Sequence, residues 1–373
     1  MFYHLVLPLQ EYVSSFRIFQ YITFRSALAA LTALLFTLIF GKFIIRFLAN
    51  LKFREEIRTL GPESHQKKAG TPTMGGIMIL LSVFTAAVFW GNFKNHYFVT
   101  ALLGLLSLGI LGFADDYIKS VLKKKEGLPA RIKFLFQVLI SFIVALVIYL
   151  YPSSPSQVTS VYVPFMNGQL FDFANVSIFG MNMNLTWLWF VFVVLVINGS
   201  SNAVNLTDGL DGLATGSVII VGSVFGVIAY LTGHAVNAAY LRIPYVPASA
   251  ELTVLLSALL GAGLGFLWFN ANPAQIFMGD TGSLALGGII GIVAVMTKKE
   301  LFLFIVGGVF VAEALSVILQ VGSFKLRKKR IFKMAPLHHH FELSGVPEQK
   351  IVTRMWIAGI ILAIIGLSTL KIL

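Results

Sequence analysis

The chain has 373 residues, of which 57% are hydrophobic and 12% charged, with a formal net charge of +12 and no cysteine. A soluble domain carries about 25% charged residues, so composition argues against a water-soluble enzyme, and the missing cysteines exclude disulfide and thiolate chemistry. A mean hydropathy of +0.85 fits a polytopic membrane protein, in which lysine and arginine set topology rather than bind nucleic acid.

The opening residues, MFYHLVLPLQEY, lack the basic region and small-residue cleavage site of a signal peptide. Phe2, Leu5, Val6 and Leu9 suit a membrane interface. Ten apolar stretches follow, at 26–48, 74–91, 97–114, 134–151, 185–199, 213–231, 252–269, 282–297, 301–321 and 355–372. Several lie near the lower limit of about 17 residues for a helical span, and the fifth is the shortest. Glycines recur inside them (Gly261, Gly263, Gly265, Gly287, Gly288, Gly291), as expected where helices approach closely. The expected fold is all-α: one integral membrane domain over 1–373 with about ten transmembrane helices. The long fourth connection, 152–184, has no Lys or Arg, and its PFMNGQLFDF stretch suits a short hairpin.

With ten spans the termini share a side. The odd-numbered connections hold 5, 6, 0, 0 and 8 Lys or Arg, the even-numbered ones 1, 0, 1 and 2. Cytoplasmic loops carry the positive excess, which puts the odd connections inside and both termini outside. Five of the six aspartates, Asp115, Asp116, Asp208, Asp211 and Asp280, lie in or beside odd connections. Carboxylates next to hydrocarbon are costly and mark function when they are kept.

Lys67-Lys68-Ala-Gly-Thr71-Pro72-Thr73-Met-Gly-Gly precedes the second span. Thr71 as N-cap and Pro72 at the first helical position make a favourable helix start. The glycine spacing is that of a P-loop, but the Lys-Ser/Thr is missing, so this is no Walker motif. Lys67 or Lys68 beside such a start can contact phosphate. Phe113-Ala-Asp115-Asp116-Tyr117 closes the third span. Paired carboxylates supply oxygen ligands to a hard cation or position a base, and neighbours on a helix point about 100° apart, so the two should have different roles. A solvated helix end is the bland alternative, but acids there oppose the macrodipole.

Asn198, Asn202, Asn205, Asp208 and Asp211 recur at spacings of four, three, three and three, one polar stripe if helical or plain Asx turns if not. In Asn270-Ala-Asn-Pro-Ala-Gln-Ile-Phe277-Met-Gly-Asp280-Thr281-Gly-Ser283, Asp280 is an N-cap or a metal ligand. Thr281 and Ser283 suit phosphate at a helix N-terminus, and Phe277 suits stacking on a base. Three consecutive imidazoles, His338-His339-His340, do not readily share one metal, and magnesium prefers oxygen; phosphate contact or proton handling fits them better. The basic run at 325–333 before them reads as topology and headgroup contact. Glu313 inside the ninth span, with Gln320 seven residues on, is either functional or protonated and hydrogen-bonded between helices.

These motifs, GTPTMGG at 70–76, FADDYIK at 113–119, NAVNLTDGLDGLA at 202–214, NPAQIFMGDTGS at 272–283 and PLHHHFE at 336–342, resemble the polyprenyl-phosphate N-acetylhexosamine-1-phosphate transferase superfamily. The PLHHHFE loop is similar to its phospho-N-acetylmuramoyl-pentapeptide transferase branch. The resemblance spans essentially the whole chain. It implies a bacterial cytoplasmic (inner) membrane enzyme of peptidoglycan synthesis with its active site at the cytoplasmic face. That enzyme moves phospho-MurNAc-pentapeptide from UDP-MurNAc-pentapeptide to undecaprenyl phosphate, giving lipid I and UMP, with Mg2+ as cofactor, in a homodimer surrounded by membrane lipids.

The resemblance also implies roles. Asp280 is the magnesium-binding aspartate, and Asp115 and Asp116 are the essential pair, both also candidate metal ligands. His338, His339, His340 and Lys133 join the catalytic set, and Lys68, Thr73, Asn202, Asn205, Asp208, Asp211, Asn270 and Phe277 the substrate pocket. Lys68 and Lys133 would offset repulsion between the pyrophosphate and the lipid phosphate. Two other readings compete. A sister transferase moving GlcNAc-1-phosphate would share every aspartate motif. A transporter is disfavoured, because transporters show mid-membrane polar breaks and internal repeats.

Overall fold

Within lipid the backbone has no partner but itself, so helices carry the span. The computed structural model describes residues 2–51, 70–124, 127–163, 170–178 and 181–370. Ten helices form the bundle: α1 (Ile22–Asn50), α2 (Gly76–Trp90), α3 (His96–Ser120), α4 (Ala130–Leu150), α5 (Thr186–Thr207), α6 (Leu213–Thr232), α7 (Leu252–Asn270), α8 (Gly279–Met296), α9 (Gly308–Arg327) and α10 (Glu348–Thr369). Among the described residues, nine are long and apolar enough to cross a membrane; α2, with 15 residues, is apolar but shorter. The chain is a multi-pass membrane protein. The most buried helix is α8, which α3 and α5 flank. Small residues permit this: Gly287 and Gly291 lie against the α5 backbone at Ser200, Ser201 and Ile197.

Several boundaries differ from the sequence expectation, for one reason: hydropathy marks where hydrocarbon stops, not where the helix stops. Helix α3 runs on to Ser120, so Asp115 and Asp116 sit inside its last turns rather than at its end. Helix α5 continues to Thr207, which makes Asn198, Asn202 and Asn205 helical and leaves Asp208 as the C-cap. The ninth span is broken at Gly307 into a short helix, Phe302–Val306, and α9. The tenth helix begins at Glu348.

Thr71 and Pro72 do not start a helix; α2 begins at Gly76. The carbonyl of Pro72 instead takes the Phe277 N–H at 2.9 Å, and the N–H groups of Gly75 and Gly76 reach the carbonyls of Phe277 and Met278 at 2.8 and 2.9 Å. A long-range ladder has overridden a local helix signal. The all-α expectation also needs four short strands added. β1 (Ser160–Tyr162) pairs antiparallel with β2 (Leu170–Asp172), and β3 (Val176–Ile178) with β4 (Met181–Met183). The first hairpin includes part of the expected PFMNGQLFDF stretch, whose residues 164–169 lie outside the described ones; the second was not expected.

The connections sort into two ends of the bundle. At one end the first and fourth odd connections meet through Pro72 and Phe277. The end of α3 meets the start of α8 through Asp116 and Thr281, and the fifth odd connection meets the third where His338 contacts Gly209. At the other end Asn95 donates to the Ala248 carbonyl at 3.0 Å and Lys298 to the Val158 carbonyl at 2.6 Å. The N-terminal segment joins this second end, where His4 Nε2 accepts the Phe93 N–H at 3.2 Å. The end of α10 arrives there too: Thr369 and Leu370 line a cavity with Arg242 and Lys299.

Candidate active site

The first end gathers the aspartates. Asp115 and Asp280 are cross-linked by two lysines. Lys119 Nζ lies 2.7 Å from Asp115 Oδ2 and 2.8 Å from Asp280 Oδ2, and Lys133 Nζ lies 3.1 and 2.8 Å from the same two oxygens. Lys119 is one helical turn after Asp115 and shares its face; Lys133 comes from the first turn of α4. Asp115 is buried, and its Oδ1 also takes the Leu128 N–H at 2.6 Å. Gly127 makes that turn possible: its φ is +63°, and a Cβ there would strike Asp115 Oδ1.

Asp116 points the other way, as the 100° step between neighbours requires. Its Oδ1 accepts the Asp280 N–H at 3.1 Å, and its Oδ2 accepts the Thr281 N–H at 2.9 Å and the Thr281 hydroxyl at 2.7 Å. It thus caps the N-terminus of α8 from another helix, satisfying N–H groups that an α-helix leaves orphaned. Gly279, with φ +72°, packs directly on that carboxylate. Asp280 is therefore a first-turn residue of α8, not its N-cap, where the helix dipole favours a negative charge. Asn205 Nδ2 donates to Asp280 Oδ1 at 2.6 Å and to Ser283 Oγ at 2.8 Å.

The polar stripe of α5 divides along its length. Asn198 Oδ1 accepts from Ser141 at 2.6 Å, and Asn202 Nδ2 donates to Gln137 Oε1 at 3.1 Å, both partners lying on α4. Only Asn205 reaches the aspartates. Beyond α5, buried Asp211 holds the α7–α8 loop: its Oδ2 accepts from Asn272 Nδ2 and the Ala274 N–H, each at 3.1 Å. Asn270 is buried as a brace, accepting from Thr215 at 2.9 Å and donating to the Ile276 carbonyl at 2.9 Å. Thr73 is buried beside the Pro72–Phe277 ladder, and the Phe277 ring is half-buried rather than exposed. Lys67 and Lys68 lie outside the described residues.

The three histidines separate. His338 is fully buried, with Nδ1 3.1 Å from Glu313 Oε2. His339 Nδ1 lies 2.7 Å from Glu342 Oε2. His340 Nδ1 accepts the Lys333 N–H at 3.2 Å, and its ring meets Phe332 edge-on. Lys119 and Gln137 stand outside the residues that sequence motifs pick out for the site. The signal for Lys119 was present, four residues after Asp115 on a helix; Gln137 carried none.

Among the described residues no three His, Cys, Asp or Glu side chains come together as a metal cage. The donors at the site are the oxygens of Asp115 and Asp280. Two carboxylates, completed by phosphate oxygens and water, are the set by which magnesium is held in phosphoryl-transfer sites, so the residues fit that ion. Two ammonium groups share the same oxygens, so a cation must compete with them.

Residues 98–298 match the family model described as Glycosyl transferase family 4, and residues 68–80 match phospho-N-acetylmuramoyl-pentapeptide-transferase signature 1. The chain is 52% identical over 365 residues to the phospho-N-acetylmuramoyl-pentapeptide-transferase of Leptospira biflexa, covering 95% of each. It is 50% identical over 373 residues to the enzyme of that name in Thermodesulfovibrio yellowstonii, covering 100% of each. A further relative of that name, from Pelobacter propionicus, is 50% identical over 371 residues. The chain therefore belongs to the phospho-N-acetylmuramoyl-pentapeptide-transferase family and is a membrane transferase of that family.

Proposed function

We propose that the enzyme transfers phospho-MurNAc-pentapeptide from UDP-MurNAc-pentapeptide to undecaprenyl phosphate, releasing UMP and leaving lipid I in the bacterial cytoplasmic membrane. The observation that carries this is the crossed cluster in which Asp115 and Asp280 share Lys119 and Lys133. Donor pyrophosphate and acceptor phosphate are both anions and repel one another. Ammonium groups that can turn from carboxylate to phosphate offset that repulsion. Asp280 and Asp115 would hold Mg2+, which when bound stabilises negative charge on the leaving UMP.

In this reading Asp115 orients the acceptor, and the lipid phosphate attacks the sugar-side phosphorus directly; the protein's contribution is positioning. Support comes from the Asp115 carboxylate itself. It is buried and already engaged by the Leu128 N–H and two ammonium groups, which lowers its nucleophilicity relative to a free carboxylate. A phospho-sugar adduct trapped on Asp115 would replace this with the covalent route. Asp116 acts by fixing the first turn of α8, and with it Asp280. By the family resemblance Asn205, Asp208, Asp211 and Phe277 serve the nucleotide pocket, Thr73, Asn202 and Asn270 shape it, and Lys68, which lies outside the described residues, is the candidate phosphate contact. His339 and His340, both half-buried, are the candidates among the three histidines for contact with substrate. With ten crossings, the positive excess in the odd connections supports a cytoplasmic site and both termini outside. The family resemblance supports a homodimer.

The test is a detergent assay of the purified chain with undecaprenyl phosphate and either UDP-MurNAc-pentapeptide or UDP-GlcNAc, with UMP and labelled lipid both measured. The expected result is product from the muramoyl-pentapeptide donor alone. Product from UDP-GlcNAc alone would reassign the substrate to the sister class, and no UMP from either donor would refute transfer.

A further inference from the structure

Glu313 and His338 form a buried pair that the chemistry above does not use. Glu313 lies in α9 and is fully buried, as is His338. The Glu313 carboxylate accepts the backbone N–H of His338 at 3.2 and 3.4 Å, and the ring Nδ1 stands 3.1 Å from Oε2. Both ring nitrogens are buried, and neither makes a hydrogen bond among the described residues; Nε2 is the one turned away from Glu313.

That nitrogen faces Gly209. A Cβ added at Gly209 would fall on His338 Nε2. The backbone of Gly209 has no positive φ, so its dihedral angles do not demand glycine; the approach of the imidazole does. Gly209 sits between Asp208 and Asp211, and its own N–H donates to the Thr207 carbonyl at 2.9 Å. Helix α9 also grips the same loop at a second height. Gln320 Oε1 accepts the N–H groups of Ile331 and Phe332 at 2.9 and 3.0 Å, and its Nε2 donates to the Phe332 carbonyl at 3.0 Å. Glu313 and Gln320 are seven residues apart, about two turns on one face. The loop is thus held to α9 at Ile331 and Phe332 and again at His338, and the His338 ring in turn bears on the Asp208–Asp211 turn through Gly209.

We propose that Glu313, His338 and Gly209 form a buried column that sets the position of the Asp208–Asp211 turn, making Glu313 a positioning residue for the UDP-linked substrate. The inference rests on the reading of that turn as nucleotide pocket. His338 is then a strut within the protein, and any contact with substrate falls to His339 and His340.

The test uses the full-length chain in detergent, with KM for the UDP-linked donor, kcat and Tm measured for each variant. Gly209→Ala is expected to raise KM about tenfold, with the loss falling on KM rather than kcat. Glu313→Leu should do likewise, and Glu313→Gln, whose amide oxygen still accepts the His338 N–H, should recover most of it. In Gly209→Ala/His338→Ala the new methyl enters space the ring has left. The double variant should therefore bind better than the single effects combined predict, by about fivefold. Asp211→Asn distinguishes failure of the column from failure of the pocket. If it raises KM while folded Gly209→Ala and Glu313→Leu leave KM unchanged, the column is wrong and the pocket stands. If Asp211→Asn also leaves KM unchanged, the pocket is wrong and the column falls with it. Gly209→Ala carries the test alone where Tm shows that Glu313→Leu has unfolded.

Discussion

The two ends of the bundle use opposite charges in different ways. At the end holding the N-terminal segment, Arg25 and Glu251 form a closed pair at 2.8 and 2.5 Å, with side chains 1% and 9% exposed. Arg25 also donates to the Trp90 carbonyl at 3.1 Å and lies 4.2 Å over the Tyr3 ring. Every bond there serves to fasten α1, α2 and the start of α7. At the aspartate end two carboxylates share two lysines, and Lys119 keeps 36% of its side chain exposed. A one-to-one buried pair is worth keeping only intact. A crossed pairing with an exposed member can exchange partners as an anion and a cation arrive. Connectivity and exposure, rather than residue type, separate a fastening from a reactive site.

The sharpest way to break this contrast is to remove a charge at each end. Asp280→Asn should lower kcat by more than about a thousandfold, by analogy with the loss of a principal electrostatic group. Its Tm should stay within a few degrees, because its backbone N–H still bonds Asp116. Near-normal turnover would take Asp280 out of the metal site. Glu251→Gln should do the reverse. It leaves a buried arginine without its counter-charge and should cost about 3–5 kcal/mol of stability, read as a fall in Tm, while turnover of the folded fraction is kept. Adding Arg25→Met should recover much of that loss; no recovery would show that the pair is not a closed unit.

A smaller effect sharpens the role of the shared lysines. Lys119→Ala should lower kcat about 10- to 100-fold and should leave Tm little changed, since Lys133 still bridges both carboxylates. Equal loss of Tm and kcat would make Lys119 a fastening too. The smallest expected effect lies in the first hairpin. Burial pushes the Asp172 carboxyl up, but the Thr159 hydroxyl, the Ala174 N–H, the Asn175 amide and the charge of Lys298 outweigh it and hold the pKa below its ordinary value. A depressed folded pKa contributes stability that is complete above the unfolded value and is lost as pH falls through the folded one. Hydrogen-exchange protection of the hairpin should be flat from about pH 7 to 5 and decline below about pH 4. A decline already between pH 7 and 5 would contradict this.

Much of the aspartate end was legible in the sequence, because carboxylates beside hydrocarbon are rare and the lysine bias of the loops grouped them on one side. Asp115, Lys133, Asn205 and Asp280 do meet. What hid was everything set by long-range contact. Arg25 and Glu251 are 226 positions apart, and neither shows a local pattern. Thr71-Pro72 carries a strong helix-start signal that pairing with Phe277 overrides. Helix ends were misplaced wherever a polar functional segment stays helical, as α3 does through Asp115–Asp116 and α5 does through Asn205. Gly209 carries no signal of its own in the sequence, and the ring of His338 explains it.

The central claim is that Asp115 and Asp280 hold a divalent ion against a pyrophosphate in competition with Lys119 and Lys133. Titration of the purified chain with Mn2+, followed by electron paramagnetic resonance with and without UMP, tests it apart from turnover. The account predicts saturable binding in the wild type that Mg2+ displaces, that tightens with Lys119→Ala, and that is lost in Asp280→Asn. Binding of equal affinity in Asp280→Asn and the wild type would contradict it.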